Sequence, residues 1–424
     1  MKLTYKFHLP FSSELKELCK ISKDLYNQAN YTVKTHLNET GKWLRYNDLN
    51  KIMRTIKNLE NEINYEKLKA QSSQQILRLV DKNWTSYFRS LKEYKKVPGK
   101  FKGLPKSPNF KKKDGLNLLI FTNQNAKIRN NVLSLSKTIK INIPKYEGKD
   151  FSKFQQVRII PKHSNFECEI IYEEKVKEHN LDKEKCVGID LGLNNLATLV
   201  GTDGAIIFSG KPLKAKNQLY NKTKAKLQSI NDKSKSKTAV KYTKRMRRLD
   251  EKHEALKRDY LHKTSAKIIN YCVEHKVGNI FVGLNKDWKN SISLGNKTNQ
   301  KFVSIPHSQL IRMLKHKAEL NGINFQTTEE AYTSKCDSLT LEKLEHHENY
   351  SGKRVHRGLF VSSASFAMNA DVNGAVNIVR KVVGNSYASR IINSGLLFNP
   401  VKSPEIFTNK AKVLRNFDRI KQYE

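Results

Sequence analysis

The stretch Val187-Gly188-Ile189-Asp190-Leu191-Gly192-Leu193-Asn194-Asn195-Leu196-Ala197-Thr198-Leu199-Val200 ends one apolar run in an acid, Asp190, turns through Gly and Asn, and resumes with a second apolar run. Short apolar runs separated by turn residues predict two antiparallel strands of a buried sheet. The lone carboxylate has two explanations. It is a turn or capping Asp, at home beside Gly and Asn, or it is a metal-ligand Asp at the end of a first strand. The downstream chain helps to choose. Gly201-Thr202-Asp203-Gly204 predicts a turn into a third strand over 205–208, completing an antiparallel meander. Residues 213–276 are strongly basic with helical apolar spacing at Met246, Leu249, Leu256, Tyr260, Ile268, Ile269 and Cys272, which predicts a helical hairpin. His253 and His262 within it are ordinary surface or packing residues on this reading. A fourth strand over 279–284, a Lys/Asn-rich loop, a helix over 306–321 and a fifth strand over 323–328 come next. The fifth strand runs into Glu329-Glu330, and a late helix opens at Asn369-Ala370-Asp371. The tail beyond Val383 reads as irregular and basic.

Upstream of this region the pattern differs. Residues 1–8 alternate as a short strand, and a helix is expected after Pro10 with Ser12 or Ser13 as its cap. From Ser13 to about Lys96 the periodicity is helical, with Ile76, Leu77, Val80, Trp84, Tyr87 and Phe88 read as packing residues. Residues 97–115 shift to Pro, Gly and Lys with Phe101 and Phe110 among basic residues, the composition of a connector suited to phosphate contact. From Leu116 to about Lys175 several short strands with turns at Asn130-Asn131 and His163-Ser164-Asn165 predict a small barrel. Met1–His8 would add an edge strand to that barrel, making the helical segment an insertion in it.

Composition supplies the partner class. Of 424 residues, 79 are Lys or Arg against 40 Asp or Glu, a net charge of +39. A chain so charged repels itself unless a polyanion is near, and nucleic acid is the expected one. No stretch reaches the ~20 apolar residues of a membrane-spanning helix and no signal peptide opens the chain, so no membrane role and a bacterial cytosolic or nucleoid location are expected. The five cysteines, Cys19, Cys168, Cys186, Cys272 and Cys336, lie far apart without a Cys-x-x-Cys pair. They build neither a disulfide framework nor a zinc ribbon and read as buried or free thiols.

Three antiparallel strands, a helix, a fourth strand, a helix, a fifth strand and a late helix opening in Asp form the order of an RNase H-like fold. That fold gathers an Asp from strand one, an acid from around strand four and an Asp from the late helix. Phosphodiester hydrolysis calls for those residue types, because two divalent cations about 4 Å apart need hard oxygen ligands. Asp190 and Asp371 fit two of the three positions.

VGIDLGLNNLATLV, the LHKTSAKII helix, NIFVGLNKDWKN, SIPHSQLIRMLKHKAELNGI, EEAYTSKCD and MNADVNGAVNIVRK together resemble the TnpB family, the OrfB-type proteins of insertion sequences, related to type V CRISPR effectors. The resemblance is dense over 183–381; the N-terminal half matches in architecture. It implies a multidomain α+β chain. A first strand of a wedge barrel at 1–10 would precede a helical recognition insertion at 11–96 and the rest of the β-barrel at 97–182. A RuvC-like nuclease domain would span 183–332, interrupted by the basic hairpin 213–276. A degenerate zinc-ribbon-like insertion at 333–366, the last RuvC-like helix at 367–383 and a basic tail at 384–424 would complete the chain. The activity implied is RNA-guided DNA cleavage with Mg2+ or Mn2+. The partners are a guide RNA from the transposon end and double-stranded target DNA beside a short motif.

Two departures from the family stand out. Its second catalytic acid is a Glu just after the fourth strand, where this chain has Gly283-Leu284-Asn285, and its four-cysteine zinc ribbon is reduced to Cys336, so structural zinc is not expected. In a sheet ordered 3-2-1-4-5, strand five lies beside strand four, so an acid at its end can reach the same metals. The expected set is therefore Asp190, Glu330 and Asp371, as catalytic and metal ligands, with Glu329 in reserve. Alternation puts Glu329 on the face of Ile323 and Phe325 and Glu330 on the other, which leaves the choice open. Asp287 and Asp337 read as surface acids. Lys111, Lys112, Lys113, Lys244, Arg245, Arg247 and Arg248 are the expected nucleic-acid contacts, and Arg357, by the resemblance, a contact to the scissile phosphate. A nuclease-dead RNA-guided repressor and a DNA-strand-transfer transposase are the competing functions.

Overall fold

The structure is a computed structural model and describes residues 1–144, 150–162, 165–233, 242–284, 306–356 and 358–403. The chain divides into two compact units, Met1–Lys175 and Val176–Glu424.

In the first unit, strand β1 (Lys2–Leu9) leads into helices α1 (Ser13–Thr40), α2 (Tyr46–Met53) and α3 (Ala70–Lys96). Ser12 caps α1 by accepting from the Leu15 amide at 3.2 Å, and Gly41 ends it at φ 68°, in the left-handed region glycine tolerates. Six strands follow: β2 (Leu119–Thr122), β3 (Lys127–Arg129), β4 (Val132–Ser134), β5 (Lys140–Asn142), β6 (Phe154–Pro161) and β7 (Phe166–Glu173). They pair as two sheets, β1-β7-β6-β2 and β3-β4-β5, and among the described residues no ladder joins the two into the single ring a barrel would have. The β3–β4 hairpin turns on Asn130 and Asn131, both at positive φ, the geometry of a two-residue hairpin loop that Asn adopts readily. Helices and sheets share one core: Leu25, Ile76, Leu77 and Trp84 from the helices pack with Leu119, Leu133, Val157 and Ile170 from the strands. The helical segment thus shares the unit's core with the strands.

The second unit is built on a six-stranded sheet. Its strands are β8 (Asp182–Asp190), β9 (Asn195–Gly201), β10 (Gly204–Ser209), β11 (Val277–Gly283), β12 (Asn324–Thr328) and β16 (Val401–Lys402), ordered β12-β11-β8-β9-β10-β16. The meander β8-β9-β10 is antiparallel, while β11 and β12 join parallel to β8 and to each other. The first five strands stand in the order 3-2-1-4-5 expected from the sequence. One face is covered by α5 (Lys244–Glu274) and α6 (His307–Leu320), whose Tyr260, Ile268, Leu310 and Leu314 meet Val187, Ile189, Leu196 and Leu199. The other face carries α7 (Ala370–Val383) and α8 (Asn385–Asn393), which cover Cys186, Val200 and Phe281 with Val372, Val376 and Val379. Helix α4 (Lys211–Lys233) packs on α5 as the second arm of the basic hairpin.

Two expectations need correction here. The tail beyond Val383 is not wholly irregular: Ala388 and Ile391 of α8 are fully buried, the Tyr387 hydroxyl accepts from the Cys186 amide at 2.8 Å, and β16 adds an edge strand beside β10. Asp337 is not a surface acid but fully buried. It accepts from the Ser362 hydroxyl (2.6 Å) and from the Ser363 and Leu339 amides (both 3.0 Å). Beside it Asn373 and Asn377 donate to the Cys336 carbonyl, at 3.0 and 2.7 Å. Strands β13 (Lys353–His356), β14 (Leu359–Val361) and β15 (Ala367–Asn369) form a small sheet in this segment. Asp287 lies outside the described residues.

Candidate functional site

Asp190 closes β8 because the apolar run that buries the strand stops there and the chain turns through Gly192 and Asn194. Helix α7 lies directly on this strand. A Cβ on Gly188 would come within 2.6 Å of Val379 Cγ2, so a side chain there would lift the helix. The same close approach brings the first turn of α7 to Asp190, and a Cβ on Gly374 would sit 3.0 Å from Asp190 Oδ2. Asp371 occupies that first turn, where the Asn369 cap accepts its amide at 2.9 Å and the helix dipole favours a carboxylate.

The third acid comes from the far side of β11. Ile189 pairs with Val282 and Thr328 pairs with Gly283, so the ends of β8, β11 and β12 stand level. The chain leaves β12 at Thr328 and turns, with the Glu330 carbonyl accepting from the Thr333 amide at 3.1 Å. Strand alternation therefore does not reach 329–330. Glu329 is exposed, whereas the Glu330 carboxylate lies against β11: a Cβ on Gly283 would be 2.6 Å from Glu330 Oε1.

Charge accumulates at this sheet end. Burial first, then the Asp371 and Glu330 carboxylates, hold the Asp190 carboxyl well above the usual carboxylate range, opposed by the Arg354 guanidinium and the Leu191 amide. Burial pushes the Glu330 carboxyl up to about 7. Asp371 is differently placed: its Oδ2 accepts from Asn195 Nδ2 at 2.8 Å and its Oδ1 lies 3.6 Å from the Arg354 guanidinium. Among the described residues no group of three or more His, Cys, Asp or Glu surrounds one point as a formed metal site. The three acids meet through their fields rather than through a common ligand position.

Asn195 and Arg354 are site neighbours that sequence reasoning missed. Asn195 was visible as part of the Gly/Asn turn after Asp190; Arg354 carries no local signal, because β13 brings it in from the insertion. Arg357 lies outside the described residues. Lys111, Lys112 and Lys113 are exposed in the first unit, and Lys244, Arg245 and Arg248 are exposed at the start of α5, with Arg247 more covered. His253 is a packing residue, stacked on Tyr220 with ring centroids 3.8 Å apart, and His262 is exposed. All five cysteines are buried and free, and Cys336 Sγ contacts the carbonyls of Lys343 and Glu345. No described helix is long and apolar enough to cross a membrane.

Comparison with known proteins gives two family-model matches and several relatives. Residues 169–289 match the family model OrfB_IS605, described as "Probable transposase", and residues 307–378 match the Cas12f1-like TNB domain. The chain is 26% identical over 233 residues to the TnpB-like protein ORF457 of Acidianus two-tailed virus, covering 53% of this chain and 45% of the relative. It is 28% identical over 220 residues to the CRISPR-associated endodeoxyribonuclease Cas12f2 of Micrarchaeota archaeon (strain CG1_02_47_40), covering 51% and 40%. The match thus spans less than half the length of these curated relatives. The cryo-EM structure of a Cas12f1-sgRNA-target DNA complex aligns with 17% identity and a TM-score of 0.35, over 89% of this chain and 98% of that one.

Proposed function

We propose that this chain, a member of the TnpB family of OrfB-type proteins, is an RNA-guided DNA endonuclease with a RuvC-like site in which Glu330 replaces the acid absent at Gly283. The observation that carries the reading is the Glu330 carboxylate lying where a side chain on Gly283 would begin, at the same sheet end as Asp190. An acid supplied from the neighbouring strand thereby reaches the place a strand-four acid would occupy. The curated relatives are a TnpB-like protein and an endodeoxyribonuclease, and the net charge of +39 suits RNA and DNA as partners.

Asp190, Glu330 and Asp371 would hold the divalent ions, Mg2+ or Mn2+. Their donors are hard oxygens, and a cation would relieve the repulsion that, after burial, raises the proton affinity of Asp190. Ions held there would supply an activated water and stabilise the leaving oxygen of the phosphodiester. The chain's own groups prepare this. Asn195 orients Asp371, Glu330 must give up its proton before it can ligate, and Arg354 offers a guanidinium within reach of the acids for a phosphate oxygen.

The test is cleavage of a target plasmid by the protein expressed with its flanking element. Wild type is compared with Asp190→Ala, Glu329→Ala and Glu330→Ala in the presence of Mg2+. Cutting by wild type and Glu329→Ala, lost in the other two, is expected. Guide-dependent binding without cutting by the wild type would support a repressor instead, and absence of a discrete co-purified RNA would favour a strand-transfer transposase.

A further inference from the structure

The connector between α3 and β2 is basic and aromatic, yet it is not a loose loop. One face of α1 holds it, using residues spaced four and three apart. Asn30 Nδ2 donates to the Pro108 carbonyl at 3.1 Å, and Lys23 Nζ donates to the Lys113 carbonyl at 2.9 Å. Between them Asn27 makes a two-point clamp on Lys111, donating to its carbonyl at 3.0 Å and accepting from its amide at 2.7 Å. Asn30 is itself anchored, because Trp84 Nε1 donates to its Oδ1 at 2.9 Å. The backbone of Pro108, Lys111 and Lys113 is thus bonded to the helix, while the side chains of Lys111, Lys112 and Lys113 stay exposed.

Under this strap, α1 and α3 leave a cleft of about 470 Å³. Tyr26, Tyr87 and Phe110 give it aromatic surface, Asn83 and Ser86 give it hydrogen-bonding edges, and Lys106 and Lys111 give it positive charge; no lining residue is acidic. The Asn83 amide Nδ2 donates to the Tyr26 hydroxyl at 2.9 Å, which leaves Asn83 Oδ1 as an acceptor. Lys111 Nζ stands 5.0 Å from the centre of the Tyr26 ring, and Lys34 Nζ 4.5 Å from that of Phe110. A planar wall, a polar edge and an ammonium at the rim match the three parts of a nucleotide: the face of the base, its hydrogen-bonding edge and its phosphate. The volume suits one nucleotide and is too small for a base pair with its backbones.

We propose that this cleft takes one unpaired nucleotide of a single strand, its base against the aromatic wall of Tyr87 and Phe110 and its phosphate at Lys106 and Lys111. The inference rests on the nucleic-acid reading of the proposed function and adds that the first unit distinguishes unstacked bases from duplex. RNA and DNA single strands present the same chemistry, and the test separates them.

The full-length protein is titrated with short labelled single strands of RNA and of DNA, with a wholly abasic sugar-phosphate strand of equal length, and with a duplex of that length. Wild type is expected to prefer one or both base-bearing strands over the abasic strand by about tenfold, the scale of one aromatic–base stack. Tyr87→Leu, which trims the wall, and Ser86→Phe, which fills the cleft from an exposed position, are each expected to erase that preference while leaving duplex affinity within about twofold. Lys112→Ala, on the strap outside the cleft, should weaken all four ligands alike. Melting temperatures of the variants show that they are folded. Equal affinity of wild type for base-bearing and abasic strands, or a preference that survives both cleft variants, overturns the proposal. Guided cleavage is scored separately on plasmid, so base-insensitive binding by a chain that still cuts sinks the cleft alone.

Discussion

The Glu330 carboxylate fills the space in which a side chain on Gly283 would begin, 2.6 Å from the would-be Cβ. One position's lack of a side chain is thus the other's room. Gly283→Ala is expected to push Glu330 aside and press on Ile378 Cδ1, also 2.6 Å away, costing about 1–3 kcal/mol by overpacking and reducing cleavage. The two positions are coupled, so the swap Gly283→Glu with Glu330→Ala should recover more divalent-ion affinity than Glu330→Ala alone. Thermal denaturation and Mn2+ titration of wild type, Gly283→Glu, Glu330→Ala and the double variant check this; strictly additive effects would count against the coupling.

The proton on Glu330 sets two opposing pH trends. Because burial raises this carboxyl to about 7, between the ordinary carboxylate range and 7 the folded chain keeps a proton the unfolded chain has lost. Stability from this group is therefore full at the acid end of that window and falls as pH rises through it. Asp190, raised by burial and by its two acidic neighbours, acts in the same direction. The proposed ion binding would run the other way, since a cation competes with the proton. Mn2+ affinity should climb between about pH 6 and about pH 8, and Glu330→Gln should flatten that climb. Chelation with EDTA should abolish cleavage by the wild type and by Glu329→Ala.

Asp337 should matter to stability although it lies outside the acid set. Its carboxylate accepts from Ser362, Ser363 and Leu339 with no exposed surface. Asp337→Ala leaves those buried donors unsatisfied and is expected to cost about 2–4 kcal/mol, with faster amide exchange across 333–369 as the first sign. Unchanged exchange there would mean that the segment is held by other contacts.

His253 gives a pH signature of opposite sign. Its Nε2 meets Asn217 Oδ1 at 2.6 Å and its ring stacks on Tyr220. Burial, then the Lys257 ammonium, lower its pKa from 6.5 to about 4, with Glu254 and Asp250 partly offsetting. Between those values the unfolded chain binds the extra proton, so stability is full above 6.5 and is lost as pH falls toward 4, by at most about 3 kcal/mol. Urea midpoints of His253→Phe, which keeps the stack and removes the titration, should lose this component of the acid sensitivity.

The amino-acid sequence by itself determined the order of the elements in the second unit and the places of Asp190 and Asp371. Alternation, turn residues and capping are local, and an Asp at a strand end or in a helix's first turn is visible from its neighbours. It also exposed the gap at Gly283. What it left open was which of two adjacent acids faces that gap, because alternation holds only while the strand lasts and β12 ends at Thr328. Tertiary structure decided that matter by turning the chain so that Glu330 lies on β11 and Glu329 in solvent. Non-local packing likewise brought Arg354 to Asp371, buried Asp337, drew the helical segment into one core with the strands and folded α8 onto β8. Each of these depends on which distant surfaces remain apolar or unsatisfied once the local elements have formed, and local spacing carries no record of that.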